Sequence, residues 1–284
     1  MFIMKPIRML FLLLFSTSLV APAQPVQLTG RLTDAHDKPL AYASVGVVNT
    51  PVGTVADDAG QFTLYLTDKV SATDTVRISL LGYRPLSLSV AEFRRQLTAR
   101  PTLVLTQQAQ TLNEVRITAE NSRVKTVGKT GTGAFTYTNF ALSDLPRQNL
   151  GSEIGRKFNV SKGLNRLEKY QFYLITNYDS VTFRVNVYRL KDFRNLLTQN
   201  VYVTVVGRGE KWVDVDLTPY GIVTSDDVVV SIQWVDNSAK GSAIQLPVQL
   251  PASATHYYKY GSQDRWKKFV GMTTAMNLTV TRSR

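Results

Sequence analysis

Cysteine is absent from all 284 residues. That removes disulfides, thiolate nucleophiles and Cys-based zinc or iron sites, and leaves burial to hold the fold together. Histidine is nearly absent too. His36 and His256 stand far apart, and neither belongs to a His-Glu-x-x-His or related pairing that could hold a catalytic zinc. No Gly-x-Ser-x-Gly elbow occurs to present a nucleophilic serine. Glutamate is scarce, with six in the chain, and Asp57-Asp58 and Asp226-Asp227 lack the Asp-x-Asp-x-Asp-Gly spacing of a calcium loop and read as turns. These gaps predict no catalytic residues, no metal and no cofactor. Beyond the first 23 residues, no stretch is long and apolar enough to cross a membrane as a helix.

What is present begins with Lys5 and Arg8 ahead of an apolar run from Met9 through Val20, ending in Ala21-Pro22-Ala23. This reads as a secretory signal peptide over 1–23, cleaved before Gln24. A lipid anchor at the cut would need a cysteine and is excluded. The expected location is therefore outside the inner membrane, periplasmic or associated with the outer membrane. The net charge of +12 is uneven: 24–118 carry 9 basic and 8 acidic residues, whereas 119–284 carry 22 and 13. Outside the cytoplasm a basic surface of this kind meets anionic lipid or acidic glycan rather than nucleic acid.

From Val26 the chain is a series of short strands and turns, with Asp34 to Pro39 and Asp57-Asp58-Ala59-Gly60 supplying turn chemistry. Strands are expected at Val26–Leu32, Ala43–Val48, on both sides of the Asp57–Gly60 turn, and at Val76–Leu80, Leu86–Val90, Thr102–Thr106 and Glu114–Thr118. Some seven strands in about 95 residues predict one antiparallel sandwich over 24–119. Gly30-Arg31-Leu32-Thr33-Asp34, Pro39 to Val45, Gly53 to Phe62 and Leu81-Gly82-Tyr83 resemble the carboxypeptidase regulatory-like domain, a transthyretin-like sandwich common in exported Bacteroidota proteins. The resemblance implies an accessory sandwich without peptidase activity. Leu112 to Ala119 looks like the segment that joins this domain to the plug of TonB-dependent receptors. The 165 residues that follow are too few for a receptor barrel of ~22 strands at 9 to 11 residues each.

A Lys-, Thr- and Gly-rich stretch, 120–133, reads as a linker, and 134–284 as a second, jelly-roll-like β-sandwich, making the chain all-β. Ser180 to Tyr188 alternates, with Val181, Phe183, Val185 and Val187 on a dry face and Thr182, Arg184 and Asn186 on a wet one. Trp212 to Ile222 and Val229 to Trp234 look like the C-terminal β-rich half of Bacteroidota proteins with this layout. A small outer-membrane barrel is the rival architecture, since one-sided alternation serves lipid as well as a core.

Two features carry candidate chemistry. Tyr257, Tyr258, Tyr260 and Trp266 lie among Lys259, Arg265, Lys267 and Lys268, placing flat rings beside donors suited to sugar hydroxyls or acidic groups. Tyr257, Tyr260, Arg265, Trp266 and Lys267 are the candidate ligand residues. Asp214 and Asp216, two apart on a strand, share a face and offer a carboxylate pair for a glycan-active enzyme. The favoured reading is a non-enzymatic binding or scaffold protein whose outer faces meet glycan, an envelope protein or an anionic membrane surface.

Overall fold

Val26–Thr33 forms the first strand, β1, because its alternation turns Leu28, Gly30 and Leu32 toward one core. The structure, a computed structural model, describes residues 25–108, 122–140, 149–160, 163–250 and 254–282. The expected signal peptide, 1–23, and the strand expected at Glu114–Thr118 lie outside them.

Six more strands complete the first module: β2 (Ser44–Val47), β3 (Gly53–Val55), β4 (Gln61–Leu66), β5 (Thr75–Ser79), β6 (Leu86–Ser89) and β7 (Thr102–Val104). They form two sheets, β4-β1-β7 and β3-β2-β5-β6, with β1 and β7 parallel. Leu32, Phe62, Leu64, Ile78 and Leu105 fill the space between. The two anticipated turns take the expected form. Asp34 Oδ1 accepts from the His36 and Lys38 backbone N–H groups at 2.8 and 3.0 Å, and Asp57 Oδ1 accepts from Gln61 N at 2.7 Å. Gly60 takes φ +75°, and a Cβ there would lie 2.4 Å from the Leu32 carbonyl oxygen, so the position demands glycine.

One element differs from the expectation. After β6 the chain turns into a helix, α1 (Val90–Ala99), rather than ending a strand at Val90. Ser89 caps it by accepting from Glu92 N at 3.1 Å, and Phe93 and Leu97, one turn apart, bury against the sandwich, with the Phe93 ring 6.0 Å from that of Phe62.

The second module is built from β8 (Arg123–Gly128), β9 (Thr136–Asn139), β10 (Glu153–Phe158), β11 (Asn165–Thr176), β12 (Ser180–Arg189), β13 (Val201–Val206), β14 (Gly209–Asp216), β15 (Val223–Thr224), β16 (Val228–Asn237), β17 (Ile244–Gln249), β18 (Thr255–Lys259), β19 (Lys267–Val270), β20 (Thr273–Thr274) and β21 (Met276–Arg282). One sheet runs β13-β12-β16-β10-β18-β19. The other runs β20-β17-β11-β21-β8, with β14 and β15 also paired to β11, and β9 to β17. Their inner faces meet in an aromatic core, where Phe172 of β11 packs edge-on against Phe183 of β12 at 5.6 Å and Phe158 of β10 against Tyr170 of β11 at 6.4 Å.

One boundary is corrected here. Arg123–Gly128, read within the 120–133 linker, is β8 and pairs in antiparallel register with β21, from Arg123↔Arg282 to Gly128↔Asn277. Lys and Thr at exposed edge positions resemble linker composition because neither reading requires an apolar face. The rival barrel is not formed. Among the described residues the six-stranded sheet ends at β13 and β19, each with a single neighbour, so the strands make an open sandwich.

Candidate functional site

The outer face of the six-stranded sheet is covered rather than wet. Thr182, Arg184 and Asn186 are 8%, 7% and 5% exposed, against the expectation of a solvated face. Period-two patterning separates the two faces of a strand without saying what lies on the second one, and here the first module lies on it. Arg184 crosses between the modules: Nη1 donates to the Tyr42 carbonyl at 3.1 Å, Nη2 to Ser44 Oγ at 2.7 Å, and Nε to Gln233 Oε1 at 3.0 Å. Ser262 Oγ donates to the Val45 carbonyl at 2.8 Å, and Gln263 Nε2 to Ser79 Oγ at 2.7 Å. Gly46 and Gly53 allow this approach, since a Cβ on either would lie within 2.9 Å of Ser262 Oγ.

Strand register sets a polar row across four neighbouring strands. Arg184 on β12 faces Gln233 on β16, Gln233 faces Glu153 on β10, and Glu153 faces Lys259 on β18. Glu153 is fully buried. Lys259 Nζ lies 2.8 Å from its Oε2, while Ser231 and Asn186 donate to Oε1. Burial alone would raise this carboxyl, but the ammonium of Lys259 and the two donors outweigh it and hold Glu153 below its ordinary value. Burial, reinforced by the neighbouring Glu153 carboxylate, pushes the Tyr188 phenol well above its own.

The row leads into a cavity of about 450 Å³ between the modules. Ser44, Arg77 and Tyr83 line it from the first module, and Arg184, Lys259 and Trp266 from the second. Lys259 Nζ stands 5.0 Å from the centre of the Trp266 ring. Trp266 also packs against Tyr188 and Phe193, each at 5.5 Å, and Phe193 against Tyr257 at 5.1 Å. Phe193 reaches these rings from a backbone with φ +54°, an unfavourable region for a bulky side chain that the surrounding contacts must stabilise. A larger hollow, about 670 Å³ and no more open than the first, runs along β1 and β4. Its cation, Arg31, already lies 4.0 Å from Asp37, and among the described residues no fully buried charge lines it.

The five candidate ligand residues separate. Trp266 lines the cavity and Tyr257 supports its aromatic wall, both half-buried. Tyr260 and Lys267 point elsewhere: the Lys267 ammonium lies 4.2 Å from the Tyr260 ring centre and 3.2 Å from Asp264. Arg265 is exposed and does not line the cavity. Reasoning from sequence missed Arg77 on β5, Glu153 on β10, Arg184 and Tyr188 on β12, and Phe193 in the turn that follows it, which are brought together only by the fold.

Asp214 and Asp216 belong to β14, in the other sheet. Asp214 is exposed and pairs with Gln171 and Lys169, and Asp216 accepts from Thr218 N and Oγ1, which hold its carboxyl below the ordinary value. Neither lines a described cavity, so the structure places the carboxylate pair away from the aromatic residues. His36 lies in the Asp34 turn. His256 is buried, stacked 5.8 Å from Phe269, and borders a separate hollow of about 210 Å³. Burial lowers its pKa against the opposing bond to the Met272 backbone. Among the described residues, no three His, Asp or Glu side chains gather in an arrangement that could hold a metal ion.

Comparison with solved structures finds distant likenesses. One is to the cysteine protease and lectin-like domains of Cwp84, a surface layer associated protein of Clostridium difficile, at TM-score 0.40 and 8% identity. That match covers 95% of this chain and 66% of the other, just under two thirds of its length. Another is to infectious bursal disease virus, Gx strain, at TM-score 0.26 and 8% identity, covering 92% of this chain and 81% of that one. No curated protein sequence matches the chain. Residues 28–117 match the family model of the CarboxypepD_reg-like domain, which identifies the first sandwich as a domain of that kind.

Proposed function

We propose that this chain is a non-catalytic binding protein of the bacterial envelope that holds carbohydrate in the cavity between its two sandwiches. The supporting observation is the convergence of Trp266 with Asn195, Asn200, Gln263 and Lys259 on one concavity at a module boundary. Flat rings stack on the apolar faces of sugars while amides and ammonium groups reach their hydroxyls, and ligand sites favour such boundaries. Rigid support matters as well. Glu153 fixes Lys259 from behind, and Phe193 and Tyr188 brace Trp266.

Trp266→Ala is expected to weaken binding on a glycan array or in calorimetry by about 30-fold, the roughly 2 kcal/mol typical of a central tryptophan. Tyr260→Ala, outside the cavity, leaves binding at the parent level. Equal affinity of both variants and the parent would reject this site. Export rests on Lys5, Arg8 and the apolar run after them. Fractionation should find the mature chain outside the cytoplasm and a variant lacking residues 1–23 inside it; cytoplasmic recovery of both excludes export.

A further inference from the structure

We infer that the saccharide taken by this cavity is an acidic one, bearing carboxylate groups, and that Arg77 of the first module is the residue that selects for its charge. This rests on the carbohydrate reading above and adds a ligand class to it.

The charge on the wall carries the argument. Three cations line the cavity, Arg77, Arg184 and Lys259, and no aspartate or glutamate does. The three differ in what already answers them. Lys259 is neutralised from below by Glu153 at 2.8 Å. Arg184 spends its donors on Gln233, Tyr42 and Ser44, all uncharged acceptors, so its charge has no carboxylate partner among the described residues. Arg77 is exposed on β5 and makes no ion pair or side-chain hydrogen bond among the described residues, leaving its guanidinium fork free. Two uncompensated positive charges facing one hollow between low-dielectric walls focus a positive potential there. A guanidinium also takes carboxylate or sulfate oxygens in a two-point contact, stronger than a bond to a neutral hydroxyl.

Position completes the picture. Arg77 comes from the first sandwich and Trp266 from the second, so a ring stacked on the indole would bring its acidic substituent toward the opposite module. The accessory sandwich thereby supplies recognition rather than mere cover. One module would grip the sugar ring and the other would read its charge.

The test uses the full chain and matched ligands: oligogalacturonate, alginate and hyaluronate fragments, each as the free acid and as its methyl ester. Inorganic sulfate alone and vesicles containing phosphatidylglycerol serve as further arms. At least one free acid should bind about 10-fold tighter than its ester, with an affinity that falls as sodium chloride rises. Arg77→Gln, a surface change that leaves the core intact, should bring acid and ester to the same affinity, while Trp266→Ala weakens both. Equal binding of acid and ester by the parent overturns the acidic assignment and leaves the carbohydrate reading standing. Retained acid preference in Arg77→Gln overturns the role of Arg77. Binding to sulfate or vesicles with no saccharide binding overturns both readings.

Discussion

Replacing Glu153 with glutamine will cost the protein about 3 to 5 kcal/mol of stability at neutral pH, the range for removing one partner of a buried ion pair. Glutamine fills the same space and can still accept from Ser231 and Asn186. It cannot neutralise Lys259, whose side chain is only 11% exposed. The cost is therefore that of a stranded ammonium rather than of a lost contact. A double change to Glu153→Leu with Lys259→Met removes both charges and should recover much of the loss. The pH dependence has a definite sign. The folded carboxyl is held below its ordinary value, so its contribution is present above the unfolded pKa of about 4.3 and is lost as pH falls through the lower folded one. Urea unfolding of parent and Glu153→Gln at pH 7 and in acid should show the gap between them closing in acid. Equal midpoints at pH 7 would mean the pair contributes nothing.

Arg184→Met will loosen the two modules from each other. Methionine keeps the aliphatic stem but leaves the Tyr42 carbonyl, Ser44 Oγ and Gln233 Oε1 without the donor that joins them. Bonds to a charged group contribute about 1.5 to 3 kcal/mol each, so even partial solvation of the freed acceptors predicts a loss of about 3 kcal/mol. Calorimetry should resolve two transitions where the parent gives one, and limited proteolysis should cut between the modules. A single transition at the parent midpoint would show that packing around Gly46, Gly53 and Ser262 suffices without Arg184.

Much of the fold was legible because its strands alternate. The seven strands of the first module, the Asp34 and Asp57 turns and the dry face of β12 follow from period-two patterning and turn chemistry. Helix α1 was legible but overlooked: Ser89-x-x-Glu92 has the spacing of a capping box, of which the structure forms the Ser89 half, and Phe93 and Leu97 follow one turn apart. Strand β8 carries no such signal, since an edge strand with exposed Val124 and Lys125 looks like any basic linker. The site was half legible. Trp266 and Tyr257 stood out by composition, whereas Glu153 is a lone acid in an unremarked stretch. Its meaning depends on the pairing of β10 with β16 and β18, which no local pattern encodes. Arg184 and Asn186 were placed on the correct face of β12, but whether that face is wet is decided by a module more than a hundred residues away.

The pairing of β8 with β21 has a consequence for biosynthesis. Thr126 and Thr279 share a hydrogen bond across 153 positions of chain. The first sandwich is complete in sequence by β7 and can close without the rest of the chain, but β8 must wait for β21. At roughly 5 to 20 residues per second, synthesis of that stretch alone takes about 8 to 30 seconds. Until β21 arrives, β8 has no partner strand and β11 is paired only to β14, β15 and β17, so both keep an open edge that must be shielded from aggregation.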